Sequence, residues 1–238
     1  MRTTAIALND LQFRWSRDTA LVLDISELSI MAGERVFLRG PSGSGKTTLL
    51  NVLGGVMRPQ RGTVIVSDTN LADLSRANCD VFRADHIGFI FQQFNLVPYL
   101  GLVQNVILPC RFSKRRRTRL VNLAGQEAEA RRLLSHMQLD MDSLTDRPVS
   151  TLSVGQQQRV AAARALIGAP EIIIADEPTS SLDADARGAF LELLMDEVER
   201  NGSTLVFVSH DAGLAQSFDR TIELSEVNHA PATAAEAA

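Results

Sequence analysis

The chain has 238 residues, 45% hydrophobic and 22% charged, enough to bury a sizeable core and too apolar for a disordered segment. A formal net charge of −4 argues against a dedicated nucleic-acid binder, which needs a basic excess. Two cysteines, Cys79 and Cys110, make neither a disulfide framework nor a zinc site, and read as small, reduced residues of a cytosolic protein. No segment reaches the about eighteen uninterrupted apolar residues of a membrane span. The nearest candidate, the Val160 to Ala169 region, is interrupted by Arg164. Met1 to Ile6 lacks the apolar run of a secretory signal. Work at a membrane would therefore need a partner on another chain.

In chain order, Ala5 to Ile30 clusters apolar residues around polar breaks at Asn9-Asp10 and Arg17-Asp18, the pattern of short antiparallel strands. Arg35-Val36-Phe37-Leu38 is a strand that runs into Gly40-Pro41-Ser42-Gly43-Ser44-Gly45-Lys46-Thr47, which fits G-x-x-x-x-G-K-[ST]. Its glycines let the backbone curl so that successive N–H groups face one concavity sized for phosphate oxygens. A helix opening near Lys46 and closing at Gly54-Gly55 adds unpaired N–H groups at the same place. Lys46 would reach the β- and γ-phosphates, and the Thr47 hydroxyl would sit on Mg²⁺.

Gly62 to Val66 and His86 to Phe91 read as further strands. From about Asn95 to Val149 the spacing turns helical, with Pro98 and Pro109 as punctuation and an amphipathic helix over Ala124 to Gln138. Within it, Lys114-Arg115-Arg116-Arg117-Thr118-Arg119 reads as a solvated helix face or loop, or as a contact for anionic lipid headgroups or an acidic partner surface. The strand–helix alternation resumes over Glu171–Ala175, Ala184–Glu199, Thr204–Ser209, Ala212–Phe218 and Thr221–Leu224, which implies a parallel sheet covered on both faces. His229 to Ala238, Ala-rich with Pro231, is expected to be a frayed tail.

Two downstream motifs complete the pattern. Leu152-Ser153-Val154-Gly155-Gln156 precedes Gln157-Gln158-Arg159, and Ile172-Ile173-Ile174-Ala175 ends in the carboxylates Asp176 and Glu177. With the phosphate loop, this combination resembles the ATP-binding-cassette (ABC) ATPases over about residues 4 to 225. The family signature is Leu-Ser-Gly-Gly-Gln, from which this chain departs at Val154. The resemblance implies an α/β P-loop NTPase fold: a mostly parallel sheet with helices on both faces, an antiparallel β-subdomain, and a helical subdomain inserted over about 95–165. A single domain would span 1–228.

The resemblance also implies roles. ATP and Mg²⁺ are the cofactors. Gly40, Pro41, Ser42, Gly43, Ser44, Gly45, Lys46, Thr47 and Thr48 would hold the phosphates, and Thr47, Gln92 and Asp176 the metal. Glu177 would orient and deprotonate the attacking water, and His210, in Val208-Ser209-His210-Asp211, would be the switch histidine. Gln92 and Gln93 compete for the glutamine that touches metal and water, and the family register favours Gln92. Ser180-Ser181-Leu182-Asp183 matches the D-loop. Trp15, the only tryptophan, stands where an aromatic residue stacks on adenine, with a strand-edge aromatic as the plainer reading. Ser153, Gly155 and Gln156 would cap the γ-phosphate bound by a second subunit, so a homodimer is implied. A valine at 154 would be strained if the position needed positive φ.

Gly88-Phe89-Ile90-Phe91-Gln92-Gln93-Phe94-Asn95-Leu96-Val97-Pro98 narrows the resemblance to macrolide-exporter and lipoprotein-releasing cassettes. Those pair with a separate transmembrane permease subunit of few spans and a large periplasmic domain, and drive export or extrusion from the membrane or periplasm. The chain would then be cytoplasmic, held peripherally at the inner membrane. A division-type cassette that signals without moving a substrate would look nearly identical. A nucleic-acid or translation cassette would carry two cassettes or a coiled-coil insertion, and neither is present. Phe94, Leu96, Val97, Pro98, Tyr99 and Leu100, an apolar run beside Gln92, are expected to receive the membrane subunit.

Overall fold

The computed structural model describes residues 3–144 and 147–231. Of the expected tail 229–238, residues 232–238 lie outside the described residues; His229 donates its N–H to the Asp24 carbonyl. In chain order the elements are β1 (Thr4–Phe13), β2 (Leu23–Met31), β3 (Arg35–Arg39), α1 (Lys46–Leu53), β4 (Arg61–Val66), β5 (Thr69–Asn70) and α2 (Arg76–His86). There follow β6 (Ile87–Ile90), α3 (Leu102–Phe112), α4 (Lys114–Arg119), α5 (Leu123–His136), α6 (Met141–Leu144) and α7 (Val154–Leu166). The chain continues with β7 (Ile172–Asp176), α8 (Ala184–Asn201), β8 (Thr204–Val208), β9 (Arg220–Glu223) and α9 (Leu224–Val227). Helices α2 and α9 are not evident in the sequence pattern: α2 buries only Cys79 and Phe82 and leaves Val81 in solvent, and α9 is four residues long. The segment after His210 is a 3₁₀ run, Ala212–Ser217.

The chain divides into two compact units, residues 1–83 with 204–238, and residues 84–203. In the first, an antiparallel sheet has the order β2-β1-β4-β5. Ile6, Leu8, Leu11 and Phe13 of β1 are all buried although their spacing breaks strict alternation. The break is a bulge: the β1–β4 register shifts between Asn9 and Gln12, with Asp10 at φ 48°. Opposite it stands Gly62 at φ 90°, where a Cβ would fall 2.4 Å from the Asp10 carbonyl oxygen, so only glycine fits. The same unit contains the parallel strands β8, β3 and β9, with β3 pairing to both neighbours. Every residue of β8 is buried, as a strand covered on both faces requires, and Phe37, Phe207 and Phe218 cluster with ring centroids 5.2–6.3 Å apart.

In the second unit β6 and β7 pair in parallel, and α3, α5 and α7 pack on one another. The alanines of α7 (Ala161, Ala162, Ala163, Ala165) are buried and allow close approach. At Gly88 a Cβ would lie 2.2 Å from the Ala165 carbonyl oxygen, so glycine lets β6 lie against α7. The basic run folds inward at one residue. Arg116 is 1% exposed and its guanidinium donates to the carbonyls of Ala84 (2.8 Å), Ile87 (2.8 Å), Ala165 (3.4 Å) and Ile167 (2.8 Å). Burial lowers its pKa to about 10, still charged at neutral pH. Arg115 and Arg119 both pair with Glu171, which also faces His86 at 3.2 Å. The run is therefore a staple at the foot of β6 and β7 as well as a solvated face. This α/β organisation, with its antiparallel sheet and helical insertion, is the fold class the sequence implies.

Candidate nucleotide site

The first unit supplies the phosphate loop. β3 and β8 are parallel with Leu38 opposite Val208, so Gly40 and His210 both leave the carboxyl ends of adjacent strands, about 5 Å apart across the ladder. That is where open α/β sheets bind ligands. The loop curls through Gly43 (φ 76°) and Gly45 (φ 97°), and Gly45 caps α1 in a left-handed conformation. A Cβ at Gly45 would meet the Leu23 side chain at 3.0 Å and the Val22 carbonyl at 3.1 Å, so the loop is glycine both for φ and for space. The Lys46 ammonium donates to the carbonyls of Gly40 (2.7 Å) and Pro41 (2.8 Å), across the mouth of the loop. The Ser44 hydroxyl is buried without a hydrogen-bond partner at the centre of the curl. A cradle of N–H groups, a spanning ammonium and an unsatisfied hydroxyl fit a polyphosphate. Thr47 and Thr48 lie in the first turn of α1.

Trp15 belongs to the loop joining β1 to β2. Its ring stands edge-on against Phe13, centroids 5.4 Å apart, and is 62% exposed, leaving a face to receive a flat base. Asn228, which belongs to no sequence motif, holds this hairpin beside the phosphate loop. Its amide nitrogen donates to the carbonyls of Val22 (2.9 Å) and Ser44 (3.1 Å), while its oxygen accepts from the Asp24 N–H at 2.7 Å.

The second unit repeats the arrangement. β6 and β7 are parallel with Ile90 opposite Ala175, so Gln92 and Glu177 both lie two residues past an aligned pair, side by side at the strand ends, with Asp176 closing β7. Glu177 has φ 50°, a left-handed backbone that costs a non-glycine residue and recurs at functional sites. Gln92 and Gln93 are both exposed. Ser153 is the N-cap of α7 in a reciprocal capping box: its hydroxyl accepts from the Gln156 N–H (3.3 Å), and the Gln156 side chain accepts from the Ser153 N–H (3.0 Å). Asp183 caps α8 by accepting from the Ala186 N–H at 2.8 Å.

The chain matches the ABC transporter family model over residues 23–180. The chain belongs to the ABC transporter family. It is 40% identical over 205 residues to the lipoprotein-releasing system ATP-binding protein LolD of Syntrophotalea carbinolica, covering 86% of this chain and 87% of that one. It is 38% identical over 218 residues to the macrolide export ATP-binding/permease protein MacB of Rhodopseudomonas palustris, 90% of this chain but 32% of that longer protein. The dimeric, post-hydrolysis cassette MJ0796 bound to ADP and Pi superposes with a TM-score of 0.79 at 34% identity, covering 92% of this chain and 93% of that one. MJ0796 is a protein of Methanocaldococcus jannaschii.

This ABC cassette is an ATPase, and its departure from the family signature is benign for the backbone. Val154 is the first residue of α7, has no positive φ, and is 49% exposed. Its side chain costs nothing in strain and enlarges the apolar surface at the helix start. Gly155 keeps the Leu182 side chain at 3.5 Å from where a Cβ would be. Among the described residues no helix is long and apolar enough to cross a membrane. The apolar run after Gln92 has no buried member, and Tyr99 is 79% exposed.

Proposed function

We propose that this chain is the motor subunit of an ABC transporter whose membrane-spanning part is a separate chain, and that it drives export or extrusion from the membrane or periplasm. The observation that carries the reading is the run Phe94–Leu100 continuous with Gln92, in which Phe94, Leu96, Val97 and Leu100 are half-buried and Pro98 and Tyr99 exposed: a partly open apolar surface begins two residues after a candidate γ-phosphate sensor. Similarity to LolD and MacB supports the direction of transport.

Two copies pair so that Lys46 of one chain and Ser153 of the other bracket one ATP. Lys46 leaves its two carbonyls for the phosphates, whose charge it compensates through the transition state. Trp15 fixes the base by stacking. Thr47, Gln92 and Asp176 are oxygen donors that would hold Mg²⁺, which when bound would supply charge neutralisation. Glu177 holds the attacking water and accepts its proton, and His210 contacts the γ-phosphate. The cassette works at the cytoplasmic face through its partner, a permease of few spans with a periplasmic domain.

The test is purification of the tagged chain from detergent-solubilised membranes, followed by identification of what accompanies it. The expected companion is such a permease, lost on replacing Leu96 and Tyr99 by glutamate while basal hydrolysis of the isolated chain persists. A companion retained by the double variant would place the docking surface elsewhere, and a cytosolic companion would overturn the transport reading.

A further inference from the structure

Directly after Gln92-Gln93 the backbone makes an uncommon bend. Phe94 (φ 59°) and Asn95 (φ 50°) are consecutive non-glycine residues in the left-handed region, closed by Phe94 N–H to Phe91 O (3.0 Å) and Asn95 N–H to Gln93 O (2.6 Å). Bulky residues do not rest there without something to hold them. The holder is Arg164, three turns along α7 from the signature. The residue is 9% exposed, and its guanidinium donates to the carbonyls of Asn95 (2.6 Å) and Phe94 (2.5 Å). Burial lowers its pKa, and its fork grips both carbonyls of the bend at once.

The rest of the apolar run is tied in the same direction. The buried Asn105 side chain of α3 accepts from the Val97 N–H (2.8 Å) and donates to the carbonyls of Val97 (3.1 Å), Leu100 (3.3 Å) and Gly101 (3.2 Å). Val149 and Ser150, just ahead of the signature, donate to Leu100 (3.0 Å) and Pro98 (3.3 Å). All of these residues lie within the second compact unit. Gln92, the apolar run and Ser153 are thus joined by backbone-directed hydrogen bonds whose anchor is one arginine on the signature helix.

We propose that Arg164 is a positioning residue for ATP hydrolysis: by holding the Phe94–Asn95 bend left-handed it fixes Gln92 relative to Ser153, so that a push on the apolar run reaches both ends of the catalytic constellation together. The proposal rests on the roles given above to Gln92 and Ser153. ATP capture, which belongs to Lys46 and Trp15 in the other unit, does not depend on the bend.

The test is steady-state ATP turnover of the purified chain in four variants. Arg164→Lys keeps the charge and loses the fork; kcat is expected to fall about tenfold with KM within about twofold of wild type. Asn95→Pro fixes φ near −65° and also biases Phe94 away from helical angles, leaving Arg164 intact; it should reproduce that kcat loss at unchanged KM. Adding Asn95→Gly to Arg164→Lys removes the conformational cost that the arginine offsets, and should recover most of the lost kcat. A packing role for Arg164 would not be rescued in that way. Wild-type kcat in Asn95→Pro overturns the proposal whether or not Arg164→Lys folds, because Asn95 is exposed. A kcat loss in Arg164→Lys that Asn95→Gly leaves untouched also overturns it. Gln92→Ala separates the proposal from the site reading: normal turnover there removes Gln92 from the site, and the bend is then judged by Asn95→Pro alone.

Discussion

The two compact units place their candidate site residues by the same rule and hold them by opposite means. In each, a pair of parallel strands ends in register, Leu38 with Val208 and Ile90 with Ala175, and the candidate site residues follow one or two positions beyond. In the first unit the left-handed turns at the site fall on Gly43 and Gly45, where they cost little. In the second they fall on Phe94, Asn95 and Glu177, where a side chain raises the cost by roughly 1–2 kcal/mol for an ordinary L-residue and less for asparagine. The phosphate loop is thus at rest in its binding shape, whereas the Gln92–Leu100 segment is held against its own preference by Arg164 and Asn105. A relaxed half suits capture. A strained half suits responding to a partner, because a small push can shift it.

The largest effect that would break this contrast is expected in the capture half. Lys46→Ala removes phosphate charge compensation and should abolish hydrolysis; measurable steady-state turnover would mean the loop does something else. His210→Ala should lower kcat by about two orders of magnitude or more while leaving ATP binding largely intact, because its contact acts in the transition state. Equilibrium binding measured beside turnover separates the two, and a variant with near-normal turnover would return His210 to a structural role. Trp15→Ala should raise the ATP Kd by an amount equivalent to about 1–3 kcal/mol of stacking with kcat little changed. Quenching of this lone tryptophan on titrating ATP is the direct readout, and a flat signal despite confirmed binding would remove Trp15 from the site.

The smallest effect concerns the staple at the foot of the strained half. Burial pushes the Glu171 carboxyl up, but hydrogen bonds from His86, Arg115 and Arg119 outweigh it and leave its pKa well below the usual carboxylate range. A depressed folded pKa means the stabilisation is full above the unfolded value of about 4.3 and is lost as pH falls below it. Glu171→Gln should therefore lower the thermal midpoint at pH 7 by a few degrees at most and flatten its decline between about pH 5 and pH 3. A variant whose acid profile matched the wild type would show that the ion cluster is ornamental.

Much of this was legible in the sequence because the informative signals are local. The strand–loop–helix order around Gly40–Thr47 and the apolar strand ending at Asp176-Glu177 are readable from residue types and spacing alone. What was not legible depends on contacts between distant segments. Asn228 looks like an ordinary polar residue near a chain end until its amide is seen joining Val22 and Ser44. Arg164 reads as a charge interrupting an apolar stretch until its fork is seen on the carbonyls of Phe94 and Asn95, 70 and 69 positions away. Arg116 hides in a run of like charges, and nothing in Lys114–Arg119 says which one turns inward. The polar break at Asn9-Asp10 is visible in the sequence, but it is a bulge within one strand and not a strand end, because Gly62 on β4 makes room opposite Asp10.

In the proposed function each catalytic centre is completed across two copies of the chain, with Lys46 of one facing Ser153 of the other. Light scattering on Glu177→Gln, which should bind ATP without hydrolysing it, tests this most directly. The mass is expected to double on adding ATP with Mg²⁺, to stay monomeric with ADP, and to stay monomeric with ATP when Ser153 is also replaced by aspartate, whose charge would repel the γ-phosphate. A Glu177→Gln protein that binds ATP and remains strictly monomeric at high concentration would contradict the account.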